Sequence, residues 1–136
     1  MTRARGVAAP RDPAGAARLL DQARRTLTSA ALDGVDADSG YGLAYQAALK
    51  AALALLRANG RRVSAGSGGH LVVLGETERL LPGHGDAVRR IDRMRRSRNQ
   101  LVYDGEEVGD AERRQAVLDA SVLLDLVATR LEDTDG

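Results

Sequence analysis

The sequence predicts an all-α fold, an up-and-down antiparallel bundle of four to five helices. Apolar residues recur at helical spacing in five segments, glycine or proline separates these segments, and no segment shows a convincing strand pattern. The length of 136 residues suits one domain with one modest core. We expect this domain to span residues 13–131, between a flexible N-terminal tail at 1–12 and a C-terminal tail at 132–136.

The first two helices are predicted from their apolar spacing and their end signals. The first covers residues 13–32 and opens with Pro13, because helices tolerate proline in the first turn. The second begins after a cap at Asp38 or Ser39 and ends at the Asn-Gly pair of residues 59–60, a typical left-handed stop.

The second half of the chain is predicted to hold a loop and three more helices. Four consecutive glycine or serine residues at 66–69 indicate that residues 61–69 form a flexible loop. The three helices that follow are predicted at residues 70–81, 86–103 and 110–130. Their short links favour antiparallel neighbours.

The composition excludes several classes of site. The chain has no cysteine, which excludes disulfides, zinc-thiolate sites and cysteine nucleophiles. His70 and His84 are the only histidines and share no helix face with a carboxylate at ligand spacing, so we expect no metal and no cofactor. No apolar run approaches the ~18 residues of a membrane span. We therefore expect a cytoplasmic protein.

The overall charge does not identify a partner. Lysine and arginine total 20 against 19 aspartate and glutamate, which gives a net charge of +1. Lys50 is the only lysine. Nearly all positive charge therefore sits on planar guanidinium groups, which suit contacts with carboxylates and phosphates.

An arginine interrupts the apolar stripe of the fourth helix. Within an arc of roughly 100° on this helix lie Arg98 and four apolar residues, namely Ile91, Met94, Leu101 and Val102. A guanidinium that faces a core is costly unless it is paired, hydrogen-bonded or open to a partner.

One interpretation of this arginine is purely structural. Arg98 would pair with Asp119 or Asp125 on the last helix, and Tyr103 would close one end of the bundle through its hydroxyl. The protein would then be a non-catalytic scaffold that binds other proteins.

The other interpretation is a binding groove. Arg95, Arg98 and Asn99 span about 100° of the helix surface and form a polar ridge along the apolar stripe. If this ridge meets its own copy across a twofold axis, the guanidinium groups line a groove that can hold phosphate.

These residues resemble the HEPN superfamily. Arg98-Asn99 followed by Tyr103, on the penultimate helix and before the Asp-Gly break at 104–105, is similar to the motif of that family. Residues 41–56 resemble the HEPN helix that carries a small-residue packing face. The resemblance implies a homodimeric helical bundle, commonly a metal-independent ribonuclease and in many cases the toxin partner of a nucleotidyltransferase-type antitoxin.

The resemblance also implies roles for individual residues. In active members an arginine, often followed by asparagine, precedes a histidine, with four to six residues between the arginine and the histidine. The arginine stabilises the phosphate, and the histidine moves a proton. Arg98 and Asn99 match this motif, but Tyr103 stands where histidine is expected. A phenol, with a reference pKa of ~10, is a poor general base near neutrality.

The resemblance therefore favours binding over cleavage. It implies a degenerate ribonuclease site in which Arg95, Arg98 and Asn99 bind RNA or a nucleotide. A residually active ribonuclease that uses Tyr103 is the catalytic alternative. The expected partners are a second copy of the chain, RNA or a nucleotide, and a nucleotidyltransferase-type protein.

Overall fold

The computed structural model describes residues 2–135 and confirms the predicted helical bundle. Its five helices are α1 (Pro13–Ala30), α2 (Ala37–Ala58), α3 (Gly69–Leu80), α4 (Gly85–Tyr103) and α5 (Asp110–Asp135). Each corresponds to one predicted helix, with ends shifted by a few residues. Because α5 continues to Asp135, the prediction of a tail was wrong for residues 132–135. Over residues 2–135, none of these helices combines the length and the apolar character that crossing a membrane requires.

The caps of the first two helices are aspartates. The Asp12 carboxylate accepts a hydrogen bond from the Gly15 backbone N–H at 2.9 Å. The Asp36 carboxylate accepts one from the Ser39 N–H at 3.0 Å, so Asp36 caps α2 and the prediction of Asp38 or Ser39 was wrong. This leaves the Asp38 carboxylate available for a tertiary contact.

Helix α2 is the centre of the bundle and is buried on most of its circumference. Six of its alanines are fully buried, namely Ala44, Ala47, Ala48, Ala51, Ala52 and Ala54. A helix that is apolar all round belongs in a core, and small side chains let α1 and α5 come close to it. At Gly40 the two helices approach closely, since a Cβ there would lie 2.8 Å from the Ala30 carbonyl oxygen of α1.

The structure also contains a two-stranded ribbon, β1 (Gly6–Ala8) antiparallel to β2 (Arg61–Val63), with Gly6 opposite Val63. The prediction of no strand was therefore wrong, and residues 6–8 and 61–63 are not simply tail and flexible loop. Strands of three residues are too short to give an alternating pattern. They meet because α1 and α2 pack antiparallel, where the Asp12 N–H donates to the Arg57 carbonyl at 3.0 Å.

A buried carboxylate fastens this ribbon to α3. The Glu76 side chain is 7% exposed and accepts hydrogen bonds from Arg61 of β2 at 3.0 Å and from Arg79 at 2.5 Å. Gly6 of β1 lies directly over it, because a Cβ at Gly6 would overlap the Glu76 carboxylate. Burial acts to raise the pKa of Glu76, but the two arginines outweigh it and hold that pKa below its ordinary value.

The apolar face of α4 largely agrees with the face that the sequence predicts. Ile91 and Met94 are buried in the core. Val102 is 59% exposed, so its predicted place on this face was wrong, and Leu101 takes the half-buried position against the core. The contact surface of α4 therefore narrows towards its C-terminal end.

We predict that Glu76→Gln lowers the free energy of unfolding by about 1–2 kcal/mol at pH 7, since it weakens two charge-assisted hydrogen bonds. A carboxylate with a lowered folded-state pKa stabilises the protein above its unfolded-state pKa of about 4.3. This contribution is lost as the pH falls through the folded-state pKa. The difference between wild type and variant should therefore shrink in urea titrations run from pH 7 to pH 3.

Glu107→Gln provides the control, because Glu107 is an exposed acid outside the ribbon. It should change stability by less than about 0.5 kcal/mol. Equal stability of Glu76→Gln and wild type at pH 7 would contradict the anchoring role of Glu76.

Candidate functional site

A pocket of about 550 Å³ lies between α2, the start of α3 and α4. Its α2 wall includes Tyr41, Gly42 and Tyr45, and its α4 wall includes Met94 and the three predicted phosphate-binding residues. The hydroxyl of Tyr41 donates to the Met94 carbonyl at 3.0 Å inside the core. This bond joins α4 to α2, and the predicted residues line the cavity beside it.

Arg98 pairs with α2 and not with α5. Its Nη2 lies 3.4 Å from an oxygen of Asp38, so the predicted pairing with Asp119 or Asp125 was wrong. The antiparallel packing of α4 on α2 brings Arg98 level with Asp38, which the capping role of Asp36 leaves free. Arg98 thus finds an acceptor within its own chain, and the expected homodimer stays a prediction.

This ion pair holds the guanidinium loosely. The Arg98 and Asp38 side chains are 41% and 27% exposed, and their contact of 3.4 Å is long for a charge-assisted hydrogen bond. Arg98 Nε is buried and has no hydrogen-bond partner among the residues that the structure describes. The group lies flat against α2, because a Cβ on Gly42 would be 3.9 Å from its Cζ atom. A guanidinium with an unsatisfied N–H group is stabilised when an anion supplies a further hydrogen-bond acceptor.

Arg95 and Asn99 lie beside it in the same pocket. Asp92 orients Arg95 by accepting from its Nη2 at 3.1 Å and from its Nε at 3.3 Å. Asp92 also pairs with Arg96 on the outer face of the helix. Asn99 is exposed and adds an amide to the pocket wall. The three residues that the sequence predicted as a ridge therefore line one pocket.

Tyr103 lies away from this surface. Its side chain is 88% exposed, and it is absent from the lining of the pocket. Five residues at 100° each place Tyr103 about 140° around the helix from Arg98. The hydroxyl makes no hydrogen bond within the described part of the chain, so the interpretation in which Tyr103 closes the end of the bundle was wrong.

His70 is the residue of this pocket that sequence reasoning missed. Its Nδ1 lies 3.2 Å from the Tyr45 hydroxyl, with the ring centroids 5.9 Å apart. Burial raises the pKa of Tyr45, against the opposing charge of Arg95. The phenol is then protonated at neutral pH and can donate to Nδ1 in the matching histidine tautomer. No local spacing links His70 to α4, since the two meet only in the folded bundle.

The pocket therefore has two chemically different ends. Arg95, Arg98 and Asn99 form a cationic and polar end, whereas Tyr45 and His70 form an aromatic end. Among residues 2–135 there is no cluster of three metal-ligating side chains, so neither end has a donor set for a metal. Such a surface suits a ligand that carries an anionic group next to a flat ring.

We predict that Arg98→Ala lowers the free energy of unfolding by less than about 1 kcal/mol, because partly exposed ion pairs contribute little. Ile91→Ala, at a fully buried site on the same helix, should cost about 2–5 kcal/mol. Urea denaturation of both variants measures the contrast. A loss of 3 kcal/mol or more for Arg98→Ala would identify Arg98 as a structural residue.

No family model, curated protein or solved structure matches this chain. The resemblance to HEPN proteins thus stays a prediction based on Arg98, Asn99 and the order of the helices.

Proposed function

We propose that this protein binds a nucleotide unit, either free or within RNA, in the pocket between α2, α3 and α4. The observation that carries the proposal is the state of Arg98. Its guanidinium is half exposed, loosely paired and short of one hydrogen-bond acceptor, and it lies in a pocket with a second arginine. Both arginines already have a carboxylate partner, so a phosphate binds by giving further acceptor oxygens to their remaining N–H groups.

The cationic end is suited to phosphate by its geometry. Arginine presents two N–H groups in one plane, which matches two oxygens of a phosphate. Asp92 and Asp38 each engage one edge of a guanidinium and leave other N–H groups for a ligand. Hydrogen bonds to charged groups contribute about 1.5–3 kcal/mol each.

The aromatic end supports a nucleobase as the second part of the ligand. Tyr45, which is partly exposed, lines this end of the pocket together with His70. Leu71 is 51% exposed at the same end and adds apolar surface. Stacking of a base on an aromatic side chain contributes about 1–3 kcal/mol. The two ends lie about one helical turn apart along α2, since Gly42 beneath Arg98 is three residues from Tyr45.

We predict that adenosine 5′-monophosphate binds to the wild type and at least tenfold more weakly to Arg98→Ala, because the variant loses a charge-assisted contact to the phosphate. Arg93→Ala is the matched control, since Arg93 is exposed on the same helix and does not line this pocket. Titration calorimetry measures all three affinities. Equal affinities of wild type and Arg98→Ala would refute the proposed function.

A second candidate function is metal-independent cleavage of RNA, and the position of His70 favours it. The expected histidine position is occupied by Tyr103 outside the pocket, but the His70 imidazole lines the pocket that contains Arg98. An imidazole with a reference pKa of ~6.5 is a suitable proton-transfer group near neutrality. Under this candidate the chain replaces the missing histidine with one from α3.

The two histidines provide the test of this candidate. RNA cleavage that persists in EDTA should disappear in His70→Ala and remain in His84→Ala, because His84 lies outside the pocket, just before α4. Gel analysis of a labelled single-stranded RNA measures the product. If wild-type protein that binds adenosine 5′-monophosphate releases no product, the site is a binding site only.

A further inference from the structure

Three exposed arginines, called here the ribbon arginines, lie on the ribbon or just before it: Arg62 in β2, and Arg3 and Arg5 before β1. Gly6 faces Glu76 of α3, so its neighbours Arg5 and Val7 point to the opposite side of the ribbon. Arg62 is paired with Val7 across the two strands and shares that outer side. Arg5, Arg62 and the nearby Arg3 are all exposed. Within residues 2–135 none of these three arginines forms an ion pair with a carboxylate.

Two segments of the sequence, which together include both strands of the ribbon, contain no acidic residues. Residues 2–11 and 39–75 contain seven lysine or arginine residues and no aspartate or glutamate. The remainder of the chain contains 13 basic and 19 acidic residues. The small net charge of the protein thus conceals a segregated distribution. Every charged side chain of the ribbon and of the segment that joins it to α3 is an arginine, and clustered arginines attract polyanions.

This basic surface adjoins the pocket. The Ala4 N–H donates to the Ser67 carbonyl at 2.9 Å, and Arg3 pairs with Ser67 in an isolated bridge. A Cβ on Gly69, which lines the pocket, would lie 4.0 Å from the Cβ of Ala4. The N-terminal segment that carries Arg3 and Arg5 therefore borders the α3 wall of the pocket.

We propose that the ribbon arginines Arg3, Arg5 and Arg62 bind the sugar-phosphate backbone of a single-stranded RNA, one nucleotide of which occupies the pocket. The inference rests on the proposed function, because the pocket fixes where the strand begins. Arg3 and Arg5 are two residues apart, about 7 Å in extended chain, and offer guanidinium groups in a row. A single strand fits best, since only an unstacked base can enter a pocket.

The test compares ligands of increasing length. Adenosine 5′-monophosphate and an eight-nucleotide oligoadenylate are titrated against wild type and against the triple variant Arg3→Ser, Arg5→Ser, Arg62→Ser, over a range of salt concentrations. We expect the triple variant to bind the mononucleotide normally and the oligonucleotide at least tenfold more weakly. Its slope of log affinity against log salt concentration for the oligonucleotide should fall by about 2, since three contacts at about 0.7 each are lost.

A second triple variant controls for the change in total charge. It replaces three exposed arginines on other surfaces by serine, namely Arg18, Arg24 and Arg114. We expect this variant to keep most of the affinity and salt slope of the wild type. Circular dichroism checks that both variants stay folded, and the Glu76 anchor of the ribbon is unchanged in each.

Three results would overturn the inference. The first is that wild-type protein binds the oligonucleotide no more tightly than the mononucleotide. This result would exclude a role of the ribbon arginines but would leave the proposed function of the pocket intact. The second is equal loss in the two triple variants. The third is competition by polyglutamate as strong as by oligoadenylate of equal charge, which would assign the surface to acidic proteins. RNA binding that depends on the ribbon but not on Arg98 would instead overturn the proposed function of the pocket.

Discussion

The close packing of α2 between its neighbours is the constraint on which this structure depends. The chain has no phenylalanine and no tryptophan, so its core cannot be filled by large rings. Fully buried alanines on α2 let α1 and α5 approach it at short distance, and dispersion contacts between backbones replace aromatic volume. One edge of α2, with Asp38, Gly42 and Tyr45, is left to meet α3 and α4. The pocket forms along that edge.

The pocket is held by interactions of unequal strength. The buried hydrogen bond from Tyr41 to the Met94 carbonyl fixes α4, whereas the ion pair between Arg98 and Asp38 is long and partly exposed. An anion can therefore reach the partly exposed guanidinium on a helix whose backbone is held in place. For the same reason, we expect Arg98→Ala to weaken ligand binding strongly and to change the free energy of unfolding only slightly.

Glu76 connects the ribbon to this site. A carboxylate that is 7% exposed would be costly alone, and Arg61 and Arg79 offset that cost from two sides. Because Arg61 belongs to β2 and Glu76 to α3, the anchor holds the ribbon against the helix whose first residues line the pocket. The basic surface of the ribbon and the cationic end of the pocket are thus fixed relative to each other.

The sequence by itself determined the helices and the ridge of Arg95, Arg98 and Asn99, because both follow from the 3.6-residue period of the α-helix. The tertiary structure alone decided that Arg98 pairs with Asp38, that His70 joins the pocket and that the N-terminal segment forms a strand. These features join residues far apart in the chain, and their partners are selected by the packing of α2 against its neighbours. Local spacing contains no information on such contacts.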